Sequence, residues 1–195
     1  LGFARPLDDL YPFYVMFELS TNDGPYVEGR LLQLLDRLHS HSTILNGTYA
    51  SDSEQQKFTK LRNYRECITE GLRKDGAGYK YDVSIPLSNY YNVVEIMRER
   101  LQGSPFTRIC GYGHIGDCNL HFNVTSKQFE PEILNLIEPY LYSLVQRFRG
   151  SVSAEHGIGF KKRQYLSYSK SAEAIELMRQ IKQMFDRKMI LNPHK

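Results

Sequence analysis

Apolar positions change their spacing several times along the chain, and each change marks an element. Tyr79, Tyr81, Val83 and Ile85 alternate with Lys80, Asp82 and Ser84, which predicts a strand over 79–85 with one apolar and one polar face. Phe106–Cys110 and Leu120–Val124 read as two further strands, joined by the glycine-rich segment 111–119. Pro12–Ser20 (PFYVMFELS) has strand length and is rich in aromatic and branched residues, so it is read as a strand as well, with a short extended piece near Ile44–Ala50. Helical spacing takes over elsewhere. Leu31, Leu32, Leu34, Leu35 and Leu38 predict a helix over Glu28–His39, and Asp52 or Ser53 can cap a second reaching about Leu72. Ser88 or Asn89 can cap a third, with Val93, Val94, Ile96, Met97 and Leu101 as its apolar stripe. Beyond Thr125, Pro131–Arg149 reads as one amphipathic helix, Ser151–Glu155 as short and extended, and Ser171 as the cap of a last helix to about Phe185. The tail Ile190–Pro193 reads as extended. This order predicts an α+β fold: a ferredoxin-like antiparallel sheet with helices packed on one face, plus a small, mainly helical C-terminal segment. The boundary between the two is drawn at 128/129, giving 1–128 and 129–195.

Composition then narrows the class. The chain has 195 residues, 41% hydrophobic and 24% charged, and its 14 Tyr and 10 Phe supply enough apolar surface to exclude disorder of the whole. No apolar run approaches the ~18 residues of a membrane span, and the start does not resemble a signal peptide, so a soluble protein without membrane contact is expected. A net charge of +3 is too small to imply nucleic acid. Cys67, Cys110 and Cys118 are odd in number and lack CxxC spacing, which argues for a reducing compartment. Because the chain opens at Leu1 without a methionine, a fragment or processed piece of something longer is expected.

Three groups of residues carry candidate chemistry. In GYGHIGDCNLHFN (111–123), three glycines in six residues mean that the backbone turns tightly or approaches something closely, and His114 and His121 can meet across the turn. A plain hairpin with two surface histidines fits the same pattern. In SVSAEHGIG (151–159), an acid and a histidine stand side by side before two more glycines. Two histidines and a carboxylate with an open fourth position form the ligand set of a catalytic zinc and also suit other divalent ions; His114, His121 and Glu155 fit it. His156 is then a free histidine next to the metal with the right pKa for a general base. Cys118 is a rival ligand. Arg65 and Thr69, one helical turn apart, could hold a carboxylate together with Lys80 on the polar face of its strand.

GYGHIGDCNLHFNV and SVSAEHGIGFKKRQYL, with the ending MILNP, resemble the C-terminal part of flavin-linked D-2-hydroxy acid dehydrogenases of the vanillyl-alcohol-oxidase type, over nearly the whole chain. The segments RECIT (65–69) and YKYD (79–82) match the dicarboxylate-using members better than the lactate relatives. The resemblance implies that His114, His121 and Glu155 hold a divalent metal, usually zinc. Arg65, Thr69, Lys80 and Asn123 would bind the carboxylates and hydroxyl of a small dicarboxylate, with His156 beside them as the base. It further implies FAD, bound by a half that precedes these residues, with Asn192 in the tail as the candidate cofactor contact. An electron-transfer flavoprotein as acceptor, a mitochondrial matrix location and room for a homodimer belong to the same expectation. No glycine-rich loop between a strand and a helix is present to cradle a pyrophosphate, so the chain is not expected to oxidise substrate alone. One departure stands out: the family reads G-D-G-N-L-H, and this chain has Cys118 at the third position. A metal-binding module without a redox role, and a small-ligand-binding domain without metal, are the rival readings.

Overall fold

A computed structural model describes residues 5–193 and divides the chain into two compact units, 1–71 and 72–195. In the first, α1 (Gly24–Ser40) starts four residues earlier than its leucine stripe suggests, because Asp23 caps it by accepting the Tyr26 N–H at 3.2 Å and Pro25 sits in its first turn. The helix expected to run to Leu72 begins as a single 3₁₀ turn (52–54), continues as α2 (Gln55–Glu66), and breaks at Cys67 before α3 (Ile68–Arg73). Pro12–Ser20 is not a strand: it joins no β-ladder and its residues are exposed, Phe13, Val15 and Phe17 among them. Strand-type side chains do not make a strand without a neighbouring ladder, and the first unit contains no strand among its described residues.

The second unit is built on three strands: β1 (Ala77–Ser84), β2 (Arg108–His114) and β3 (Asn119–Ser126). β3 lies between the other two and antiparallel to both, and α4 (Asn92–Arg100) connects β1 to β2. The architecture is therefore α+β with an antiparallel sheet. Alternation places Tyr79, Tyr81 and Val83 of β1 and Leu120, Phe122 and Val124 of β3 on one face, where Val93, Val94 and Met97 of α4 cover them. Each such burial contributes about 1.5–3 kcal/mol. Gly111 and Gly113 lie inside β2 rather than in a turn, which shrinks to residues 115–118. A Cβ on Gly111 would stand 2.6 Å from Val94 Cγ2, and one on Gly113 would collide with the Asn119 carbonyl and the Tyr90 hydroxyl. What the glycines allow to approach is the helix side of the core, not a ligand.

The helix expected over 131–149 is two helices, α5 (Pro131–Ile137) and α6 (Tyr140–Arg147). Pro139 has no N–H to continue the ladder and holds Glu138 extended, at φ −102° and ψ 135°. Both helices lie beyond residue 128, yet Ile133, Ile137, Leu141 and Val145 enter the same core as the sheet. The chain then passes across β1. Ser151 pairs with Ser84 through two backbone hydrogen bonds of 2.9 Å, and Lys162 donates to the Asp82 carbonyl at 3.0 Å. On the opposite face, Tyr81 and Tyr165 both donate to the Glu138 carboxylate, at 2.8 and 2.7 Å. Burial, reinforced by that carboxylate, raises the Tyr165 hydroxyl to about 12. Residues 151–168 are thus clipped to both faces of one strand. Ser171 caps α7 (Ala172–Phe185) as expected. The tail is not extended: Asp186 accepts the N–H groups of Ile190 and Leu191 and folds it back.

Candidate functional site

The polar face of the sheet gathers the candidate residues in rows set by register. Asp82, His121 and Tyr112 form one row, Ser84, Asn119 and His114 the next, and Lys80, Asn123 and Cys110 the row on the other side. His114, the last residue of β2, and His121, in the middle of β3, share this face with ring centroids 5.5 Å apart. The segment 153–156 lies over the same face and brings Glu155 and His156 to it.

Asp82 explains why that segment settles there. The carboxylate is only 3% exposed, and Oδ2 accepts three successive backbone N–H groups, from Ala154 at 3.1 Å, Glu155 at 3.0 Å and His156 at 2.9 Å. Burial alone would raise its pKa, but those donated N–H groups, with the nearby charges of His156 and Lys162, outweigh it and hold the carboxyl below the usual range. Small residues at 151, 153 and 154 let the backbone come this close.

The result is convergence on one oxygen. Glu155 Oε1 lies 3.2 Å from His121 Nε2, 3.5 Å from His156 Nε2 and 4.0 Å from His114 Nε2. His121 and His156 stack with centroids 5.6 Å apart. The His121 side chain is 12% exposed, against 53% for His114 and 65% for His156, so the site is open on the side of the latter two. Burial pushes the His121 imidazole below its ordinary pKa, against the opposing pull of Glu155 and Asp82. Between His121 Nε2 and Glu155 Oε1, 3.2 Å apart, there is room for either a proton on Nε2 or a cation that both atoms ligate. Asp82, His121, Glu155 and His156 offer ligand atoms all within 4.8 Å of one another, and imidazole with carboxylate suits zinc or another divalent ion. The residues fit such an ion, with His114 at the margin of the group.

The remaining expected residues are distributed as follows. Asn123 is buried, two residues from His121, and its amide donates to the His121 carbonyl at 3.2 Å. Lys80 is its cross-strand neighbour on β1 and is exposed. Arg65 ends α2 and Thr69 belongs to α3, on either side of the break at Cys67, and both lie in the first unit. Asn192 is exposed in the folded-back tail at φ +45°. Cys118, whose thiol is free, closes the 115–118 turn at φ +62° and does not join the ligand group. Sequence reasoning missed Asp82. Its place on the polar face of β1 was readable, but the contact with residues more than 70 positions later was not.

A sheet whose polar face assembles histidines and carboxylates in this way defines, with the sequence, the C-terminal domain of FAD linked oxidases: that family matches residues 1–195, and the chain belongs to it. More particularly, it is 45% identical over 184 residues to the mitochondrial D-2-hydroxyglutarate dehydrogenase of Rattus norvegicus, covering 94% of this chain and 34% of that protein. The mitochondrial D-2-hydroxyglutarate dehydrogenase of Danio rerio is 44% identical over 195 residues, covering 100% of the chain and 36% of the relative. A D-2-hydroxyglutarate–pyruvate transhydrogenase of Saccharomyces cerevisiae is 35% identical, covering 97% and 40%. The chain spans about a third of the length of the first two.

Proposed function

We propose that this chain is the substrate- and metal-binding part of an FAD-dependent, mitochondrial dehydrogenase that oxidises D-2-hydroxyglutarate to 2-oxoglutarate. The observation that carries the reading is the convergence of three imidazole Nε2 atoms on Glu155 Oε1. The names of the relatives support the substrate and the compartment. When bound, a divalent ion held by His114, His121 and Glu155 supplies Lewis acidity at the substrate C2 hydroxyl. His156, the most exposed of the three imidazoles, accepts the hydroxyl proton at Nε2. Lys80 provides a cation for a carboxylate one row along the sheet, and Asn123 a polar partner in the same row. Neither β1–α4 nor β3–α5 passes through a glycine-rich loop that would cradle the FAD pyrophosphate, and Asn192 in the exposed tail is the residue of this chain put toward the cofactor.

The test is metal content together with steady-state kinetics of the purified full-length protein. One divalent ion per polypeptide and a kcat/KM for D-2-hydroxyglutarate at least tenfold above that for D-lactate are expected. Equal turnover of D-lactate moves the assignment to a monocarboxylate substrate, and full activity after complete chelation refutes the metal role.

A further inference from the structure

Asp82 lies beside the ligands proposed here, His114, His121 and Glu155, without being one of them, and its two oxygens are in different situations. Oδ2 is saturated by the N–H groups of residues 154–156, whereas Oδ1 is buried and has no hydrogen-bond partner. That unpartnered oxygen faces Nδ1 of His121 at 3.7 Å, while the other ring nitrogen, Nε2, faces Glu155. The two carboxylates therefore address opposite nitrogens of one imidazole. An ionised carboxylate can only accept, so without a cation Glu155 at 3.2 Å favours a proton on Nε2, and once a cation takes Nε2 the one ring proton is on Nδ1, facing Asp82.

We propose that Asp82 is a positioning residue that holds His121 in its Nδ1–H form, leaving Nε2 as the ligating atom, and that anchors Glu155 and His156 through the same carboxylate. The inference rests on the cation-binding reading of the site. One buried group on β1 then sets the orientation of a ligand on β3 and the location of the loop carrying the other, which are separate elements of the fold. Outer groups that orient a metal-bound histidine commonly change metal affinity by about 10–100-fold when replaced. Asp82→Asn is the discriminating change. The three N–H groups require an acceptor and keep the Asn oxygen toward the loop, which turns the amide NH₂ toward His121 and makes Nδ1 an acceptor.

Long-range ¹H–¹⁵N spectra of the zinc-loaded full-length protein read which ring nitrogen of His121 carries the proton. The wild type is expected to show His121 with its proton on Nδ1, and Asp82→Asn to lose that form, with the amide resonances of 154–156 retained. Zinc affinity, measured against a competing chelator, is expected to fall about 10–100-fold in the variant. A wild type with His121 as Nε2–H overturns the proposal even if the variant fails to fold. So does a variant that binds zinc within twofold of wild type. If the wild type binds no divalent ion, the functional reading falls, whereas a wild type that binds zinc with the His121 proton on Nε2 overturns the role of Asp82 alone.

Discussion

Replacing Cys118 should reverse the usual ranking of glycine and alanine. Cys118 sits at φ +62° and ψ 21°, where its N–H donates to the Ile115 carbonyl at 3.3 Å and its carbonyl accepts the Ile85 N–H at 2.9 Å. A residue with a Cβ in this region carries about 1–2 kcal/mol of strain. Glycine is free of that strain but loses about 0.5–1 kcal/mol through the larger freedom of its unfolded chain. Both substitutions delete the thiol, so its burial cancels when they are compared. Cys118→Gly should therefore be more stable than Cys118→Ala by about 0.75 kcal/mol, the mid-range difference of the two terms. In ordinary helix or strand positions the order is the opposite. Urea unfolding of the two variants at equal slope, or a melting temperature higher by about 1.5–3 °C for the glycine form, measures it. An alanine variant as stable as the glycine variant refutes the argument, because it would mean that the turn relaxes away from positive φ at no cost.

Other outcomes follow from the packing and the charges. Gly113→Ala should destabilise the protein by about 2–3 kcal/mol in urea unfolding, since the added methyl meets backbone of β3 rather than a movable side chain. Asp75 accepts from Arg108 at 2.9 Å and from Thr125 at 2.8 Å, and the Arg108 hydrogen bond, reinforced by Thr125, holds its carboxyl below the usual range despite burial. Its contribution is thus fully present above the unfolded carboxylate value of about 4 and is lost as pH falls through the lower folded one. Asp75→Asn should be less stable than wild type at pH 7, with the gap closing toward pH 2–3. Zinc at a hundred times its dissociation constant should stabilise the wild type by about 2.7 kcal/mol, and His121→Ala should abolish that shift in a thermal melt.

The three strands were readable because alternation is local. Tyr79 to Ile85 declares both faces of β1 within seven residues, and the polar face so declared is the one that carries the site. Pro12–Ser20 misled because its composition says only that a strand could form; whether a partner strand exists is a question about the rest of the fold. Gly111 and Gly113 misled in a different way. A glycine marks a close approach without saying what approaches, and here Val94 and Tyr90 do. Pro139 was visible in the sequence, and its effect on the long C-terminal helix follows from a missing N–H that the apolar periodicity does not register. His114, His121, Glu155 and His156 were legible as residue types, but their meeting at one oxygen depends on Asp82, whose three donors are non-local.

The passage of residues 151–168 over β1 has one more consequence. β1 is one of the two outer strands of the sheet, with β3 as its one neighbour strand, and an open outer strand is a template on which a second chain can add. The residues that shield this one are those that carry Glu155 and His156 to their positions. A variant that releases the segment would lose its chemistry and at the same time expose a strand able to recruit other molecules, so loss of function and aggregation would arrive together.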